Sequence, residues 1–331
     1  MPIVARDFPP IGVGTFGSDR YTPAEVGAAV ASALRLGYRL VDCAAVYGNE
    51  AEVGAALEAT VAELGLARDE YRVMTKVWND AHAPADAVAS VHRSLRDLRL
   101  DSLDVVFVHW PFPNHHAAGV TVHSRDPHAK PYDHAAFMAL WAALEGMVDE
   151  GRVAALGVSN VSIAKLRLIL RDARVAPRFL ELELHPTLQQ GELVQFAVDH
   201  DIQPVGYSPL GSPSRPERDR TPDDLVDLEA PEIVAIAEAR GLHPAQVCLK
   251  WAVERGQIPI PFSVKPGQQA ANLEALEGPP LTPRERDALA AVERNNRLIK
   301  GQVFLWPSAE SWVDLWDVDG VIAGQGEAVV E

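Results

Sequence analysis

A chain of 331 residues suits one large barrel or two modest domains and is too long for a small sandwich. Hydrophobic residues at 47% and charged residues at 23% are ordinary globular proportions and exclude whole-chain disorder. Thirty Lys+Arg against 46 Asp+Glu leave a net charge of −16, which repels phosphate backbones, so no nucleic-acid partner is expected.

Short apolar runs, many rich in β-branched residues, read as strands: Ile11–Phe16, Tyr38–Asp42, Tyr71–Lys76, Leu103–His109, Val153–Ser159, Phe179–His185, Ile202–Ser208 and Ile258–Ser263. Helical patterns lie between them. Thr22-Pro-Ala-Glu25 is a capping box with Pro at the first helical position, and it opens a helix to about Leu36. Further helices are predicted over 49–64, 84–98, 135–150, 162–170, 190–200, 231–240, 244–255 and 282–295. Strand–helix alternation repeated eight times predicts an α/β fold, a (β/α)8 TIM barrel formed by residues 1–331 as one domain. An open doubly wound sheet is the rival.

Three segments break the rhythm: a His-rich stretch over 111–133 after the fourth strand, a Pro- and charge-rich stretch over 211–229 after the seventh, and an irregular tail over 296–331 with Trp306, Trp312 and Trp316. The tail is expected over the active-site face as a specificity element. His115, His116, His123, His128 and His134 lack ligand spacing and read as a solvated lid, so no metal is expected.

Cys43 and Cys248 lie in apolar stretches outside any Cys-x-x-Cys pair, which excludes a disulfide framework and predicts a reducing, cytoplasmic setting. Residues 1–10 carry Arg6, Asp7 and three prolines and do not read as a signal peptide. No apolar run reaches the roughly 18 residues of a membrane span, so no membrane partner is expected. Oligomeric state is not legible.

Gly12-Val-Gly-Thr-Phe-Gly17 matches the dinucleotide fingerprint G-x-G-x-x-G, with Asp42 ending the next strand. The fingerprint needs its glycines at the mouth of a helix. Here Ser18-Asp-Arg-Tyr21 intervenes before the Thr22 cap, and Pro9 and Pro10 make a poor buried strand upstream, so the Rossmann reading is rejected.

The reactive side chains fall where a barrel puts its chemistry, at the C-terminal ends of strands. Asp42, Tyr47, Lys76, His109, Ser159, Asn160, Glu183, His185, Tyr207 and Ser208 would share one rim. Asp, Tyr, Lys and His together suit proton delivery to a carbonyl oxygen. A phenol is a weak acid, an adjacent ammonium such as Lys76 lowers its pKa, and Asp42 would hold that ammonium. A neutral imidazole, His109, could orient the substrate oxygen. Glu183 and His185 read as barrel-packing or supporting polar groups. Trp78, Trp110 and Phe112 follow reactive strand ends and read as an aromatic pocket wall.

The sequence resembles the aldo-keto reductases. The resemblance rests on Gly12-Val-Gly-Thr-Phe16, Val41-Asp-Cys-Ala-Ala-Val-Tyr-Gly-Asn-Glu50, Thr75-Lys-Val-Trp78, Val108-His-Trp-Pro111, Gly151-Arg-Val, Gly157-Val-Ser-Asn160, Glu183-Leu-His-Pro186, Tyr207-Ser-Pro-Leu-Gly211 and Asn272, in order over about residues 10–295. It implies NADP(H)- or NAD(H)-dependent reduction of aldehydes and ketones, with a small-molecule carbonyl as partner. By that resemblance Tyr47 is the proton donor, Lys76 and Asp42 support it, and His109 orients substrate. Ser159, Asn160 and Glu181 match positions around the nicotinamide carboxamide, and Tyr207 matches the ring that stacks on nicotinamide. Thr15 matches a contact to the nicotinamide side. Ser208, Leu210, Gly211 and Ser212 match the loop over the pyrophosphate. Ser263, Lys265, Gln268 and Asn272 match the adenosine end. Phe16, Trp78, Trp110, Phe112 and Trp306 are assigned to substrate.

Three departures stand out. Glu181 replaces the usual Gln, and a carboxylate accepts but cannot donate. Phe16 stands where Trp is frequent. Phe262 and Gln268 replace the usual cations for a 2′-phosphate, leaving Lys265, so a shift toward NADH or dual use is expected. The alternatives are a non-catalytic nicotinamide-binding regulatory subunit on the same barrel and a metal-dependent barrel hydrolase or isomerase.

Overall fold

The computed structural model describes residues 8–17, 20–116, 126–211, 220–222 and 224–323. Eight parallel strands stand in chain order: β1 (Val13–Gly14), β2 (Leu40–Asp42), β3 (Arg72–Val77), β4 (Leu103–Val108), β5 (Val153–Ser159), β6 (Phe179–Glu183), β7 (Gln203–Tyr207) and β8 (Ile258–Ile260). The seam between β8 and β1 is closed by Gly12 N–H donating to Pro259 O and Gly14 N–H to Pro261 O, each at 3.0 Å. Both prolines offer only carbonyls to this seam, so their missing donors cost nothing there. A Cβ on Gly12 would stand 2.6 Å from Ile260 Cδ1. Gly12 and Gly14 of this pattern therefore let β1 approach Ile260 of β8, and Gly17 makes room for Val26 in the first helix.

Helices cover the outside. They are α1 (Pro23–Leu36), α2 (Glu50–Leu64), α3 (Pro84–Asp97), α4 (His134–Asp149), α5 (Ile163–Asp172), α6 (Gly191–Asp199), α7 (Pro231–Arg240), α8 (Pro244–Glu254), α9 (Pro266–Glu274) and α10 (Pro283–Ala290). The Thr22–Glu25 capping box forms at α1, and Gly37 closes it at φ 114°. Helix α9 escaped the sequence reading because it carries no apolar stripe; its buried residues are Gln269 and Asn272. The helix expected over 282–295 ends at Ala290, short of the left-handed Asn295. Among the described residues, no helix is long and apolar enough to cross a membrane.

Side chains alternate along each strand. One set, Leu40, Met74, Val105, Phe107, Phe179, Val205, Ile258 and Ile260, fills the barrel interior. The other set, including Val41, Val73, Val106 and Val158, packs outward beneath the helices.

The tail folds back over one end of the barrel. Phe304, Leu305, Trp306, Leu315 and Trp316 bury themselves with Trp110 and Phe112. Asn114, just after β4, donates to Lys130 O at 2.6 Å and Phe304 O at 3.0 Å, tying the β4 loop to the tail. Lys165 of α5 and Ser162 both bond the buried Asp317. Trp316 lies beneath the Arg297 guanidinium, 3.6 Å from ring centre to Cζ.

Candidate active site

The period of two that packs the interior also builds the site. Two residues beyond each inner core position comes a polar or reactive one: Leu40 leads to Asp42, Met74 to Lys76, Phe107 to His109, Phe179 to Glu181 and Val205 to Tyr207. Gly157 leads likewise to Ser159. A Cβ on Gly157 would lie 2.4 Å from the Phe107 ring, so glycine makes room for that ring in the floor.

Lys76 is the centre of this layer and is 1% exposed. Its ammonium donates to Asp42 Oδ1 at 2.6 Å, Asp42 Oδ2 at 2.7 Å and Cys43 O at 3.0 Å. Glu181 Oε1 is 3.2 Å from the same nitrogen. Burial works against the ammonium, yet Asp42, Glu181 and Tyr47 together raise its pKa, so it stays charged. Thr15 buttresses the arrangement by donating to Asp42 O at 2.8 Å, and Asn49 donates to Thr15 O at 2.8 Å.

Tyr47 lies in the short turn after β2, with its ring centre 5.7 Å from the Lys76 ammonium. Lys76 pulls the phenol toward acidity as expected, but burial outweighs it and Asp42 and Glu181 oppose it, so the net direction is upward. The hydroxyl therefore holds its proton at neutral pH. His109 stands 6.0 Å from Tyr47, ring to ring. Burial and the Lys76 charge push its pKa well below the ordinary value, which makes it a neutral imidazole. Its Nδ1 is buried without a partner.

Glu181 differs from the expectation of an acceptor-only carboxylate. Burial and the Asp42 charge raise its pKa to about 8. On its flanks, Asn160 sits in the left-handed region at φ 57°. Asn160 donates to His109 O at 2.9 Å and Ser159 Oγ at 3.1 Å, and accepts from the Tyr207 hydroxyl at 2.7 Å. The loop after β7 turns sharply: Gly211 N–H donates to Ser208 O at 2.9 Å, with φ 50° at Ser208 and 69° at Gly211. Leu210 is half-buried, and Ser212 lies outside the described residues, as does His123.

At the far end, Ser263 donates to Gln268 Oε1 at 2.6 Å and accepts from Lys265 N–H at 3.0 Å. Lys265 and Gln268 are exposed, while Asn272 is buried beside Tyr38. Phe262 points its ring at Tyr21, 5.8 Å away.

Of the five aromatics assigned to substrate, two are at least partly exposed beside Tyr47 or His109. Phe16 is 50% exposed with its ring 5.1 Å from Tyr47, and Trp78 is half-buried with its ring 5.0 Å from His109. Trp110, Phe112 and Trp306 lie one layer back, almost wholly buried under the tail. Phe304, which sequence reading missed, bridges the layers at 5.8 Å from Trp78 and 4.7 Å from Trp110. An aromatic in an irregular tail gives no periodic signal.

A model of the Aldo/keto reductase family matches residues 10–294. The chain belongs to this family. Aldo/keto reductase slr0942 of Synechocystis is similar, with 39% identity over 94% of each chain. Aldo-keto reductase family 1 member A1 of Homo sapiens is 39% identical over 89% of each. Among solved structures, the aldose reductase from Schistosoma japonicum superposes with a TM-score of 0.76 at 31% identity, covering 89% of this chain and 92% of that one. The protein is an oxidoreductase of the aldo-keto reductase class, whose general chemistry is NAD(P)H-dependent carbonyl reduction on small molecules, and its barrel is that of the family.

The reductase also carries charged groups that sequence reasoning did not connect. His185 lies 3.1 Å from Glu183 Oε1 and 3.0 Å from Asp227 Oδ2. Glu183 accepts from Leu298 N–H and Ile299 N–H, each at 2.9 Å, which anchors the start of the tail. Lys165 and Asp317 anchor its far part. Nothing in the spacing of these residues along the chain announces their pairing.

Proposed function

We propose that this reductase delivers the Tyr47 proton to the oxygen of an aldehyde or ketone. When bound, the dinucleotide supplies the hydride to the carbonyl carbon. Tyr47 O–H protonates the oxygen, Lys76 stabilises the phenolate left behind, Asp42 holds Lys76, and neutral His109 offers one N–H to orient the carbonyl. The observation that carries this reading is the buried ammonium clamped by both Asp42 oxygens and set 5.7 Å from the Tyr47 ring.

The groups beside Tyr47 suit the dinucleotide. A buried, unpartnered oxygen on Glu181 offers a bond to an amide, and Tyr207 beyond it offers a flat ring. We assign Thr15, Ser159, Asn160, Glu181 and Tyr207 to the nicotinamide end. Ser208, Leu210, Gly211 and Ser212 belong to the pyrophosphate, and Ser263, Lys265, Gln268 and Asn272 to the adenosine end. Lacking cations at Phe262 and Gln268, the enzyme uses NADH at least as readily as NADPH. The pocket wall of Phe16, Trp78 and Phe304, backed by Trp110, Phe112 and Trp306, favours aromatic or apolar aldehydes over aldoses, and the tail, residues 296–331, sets that choice. Free, buried Cys43 and Cys248 suit the cytoplasm.

The test is a cofactor-oxidation screen with aromatic aldehydes, aliphatic aldehydes and aldoses against each reduced nicotinamide. Turnover of aromatic aldehydes with NADH is expected. Dinucleotide binding without oxidation by any carbonyl class would instead favour the regulatory subunit.

A further inference from the structure

One ammonium here faces two buried carboxyl groups. Asp42 takes two short bonds from Lys76, while Glu181 has a single 3.2 Å approach at Oε1. Glu181 Oε2 is buried with no hydrogen-bond partner. Glu181 itself is 1% exposed. With both carboxyls ionised, the cluster would bury a net negative charge and leave one lone pair set unmet. Both terms are costly in a low-dielectric interior. Among the described residues, Lys76 is the cation acting on Glu181, while Arg297 acts on Glu183 and Tyr207. A single proton on Glu181 removes the excess charge, and it belongs on Oε2, because Oε1 is the oxygen turned toward the Lys76 ammonium, whose three N–H groups already go to Asp42 and Cys43 O. Strand register sets Glu181 directly beside Ser159 of β5 and Val205 of β7.

We propose that Glu181 works as a neutral acid whose Oε2–H is a positioning donor for the nicotinamide cofactor, and that loss of this proton weakens cofactor binding. The inference rests on the reductase reading above for its ligand. Neutral Glu181 presents an acceptor and a donor together, as a side-chain amide does, and so meets both halves of a carboxamide. Ionised Glu181 presents lone pairs alone and sets a second negative charge against the Tyr47 phenol.

The charged and titratable groups that act on Glu181, or on which it acts, are Asp42 from β2, Lys76 from β3, Tyr47 just beyond β2 and Tyr207 from β7, with Cys43 and His109 around Lys76 in the same cluster. Lys76, Tyr47, Cys43 and Tyr207 are all raised above their ordinary ranges, and His109 is lowered. Burial pushes Asp42 up as well, but it takes two short bonds from Lys76 where Glu181 has a single longer approach, so the proton shared by the two carboxyls goes to Glu181. Glu181, at about 8, is thus the member of this set that titrates in mildly alkaline solution.

The test is NADH binding to the full-length enzyme by fluorescence quenching from about pH 6.5 to 9.5, for the parent and for Glu181→Gln. The parent should lose affinity by on the order of tenfold across a midpoint near 8. Glu181→Gln, which keeps the donor and cannot ionise, should hold its affinity flat. Infrared difference spectra between the two pH extremes should show a protonated-carboxyl C=O band that disappears in the parent and is absent from Glu181→Gln. A parallel alkaline fall in both proteins, or no such band in the parent at neutral pH, overturns the proposal. Failure of both NADH and NADPH to bind either protein at any pH overturns the cofactor role and the reductase reading together, whereas an alkaline fall shared by both proteins leaves that reading standing.

Discussion

Two clusters in this molecule share a plan: one cation between two buried carboxyl groups. Lys76 stands between Asp42 and Glu181, and His185 between Glu183 and Asp227. They differ in what is left over. In the His185 cluster every carboxylate oxygen has a partner. Glu183 also takes Leu298 and Ile299 N–H, and Asp227 also takes Thr187 N–H at 3.1 Å and the Thr187 hydroxyl at 2.7 Å. In the Lys76 cluster Glu181 Oε2 and the neighbouring His109 Nδ1 are unmet. A fully met charge network rigidifies a fold, while an unmet one holds bonding capacity in reserve for something that arrives. The first is a clamp on the tail, and the second is the site proposed for the reaction.

Removing the cation from each cluster sharpens the contrast. Lys76→Met should lower turnover by ~10²–10⁴-fold, measured by steady-state nicotinamide oxidation, because the phenol loses the charge that stabilises its conjugate base. His185→Asn should act on stability instead, costing ~3–5 kcal/mol in denaturant unfolding as two buried carboxylates lose their shared cation. Its chemical step, read in a single turnover at saturating substrate, should stay near the parent's. If His185→Asn slowed that step as much as Lys76→Met, the division between clamp and site would fail.

The His185 cluster also predicts a pH signature. Burial lowers the imidazole's pKa, but the bonds to Asp227 and Glu183 override it and raise it from 6.5 to about 9. The charged form is therefore favoured by folding. Its stabilisation is complete below the unfolded value of 6.5 and is lost as pH rises through about 9. Thermal melts should show the parent losing stability over that window and His185→Asn losing much less. Equal slopes would remove the charge from the clamp.

The smallest expected effect lies at the adenosine end, outside both clusters. Phe262→Lys should tighten NADPH by ~1.5–3 kcal/mol and leave NADH nearly unchanged, read by fluorescence titration of each. An equal gain for both dinucleotides would show that position 262 does not face the 2′-phosphate.

Much of this was legible in the sequence. The alternation that buries Leu40 and Met74 also aims Asp42 and Lys76 inward, so the rim and the polar side chains gathered there follow from one pattern. What stayed hidden had no local signal. Helix α9 buries glutamine and asparagine instead of an apolar stripe. Asp317 reaches Lys165 across a long stretch of chain, and no periodicity couples them. The donor character of Glu181 depends on burial and on the charge of Asp42, which only the folded chain brings together. The phenol of Tyr47 was expected to be more acidic than usual, and burial reverses the net direction while leaving Lys76's pull intact.

The most direct test replaces Tyr47 with Phe and reads two quantities on the same preparation: nicotinamide oxidation with an aldehyde, and the dinucleotide dissociation constant. Turnover should fall by ~10²–10⁴-fold while the dissociation constant stays within about twofold, since the variant loses a proton and little else. Parent-level turnover in Tyr47→Phe would contradict the account and move proton delivery to another group.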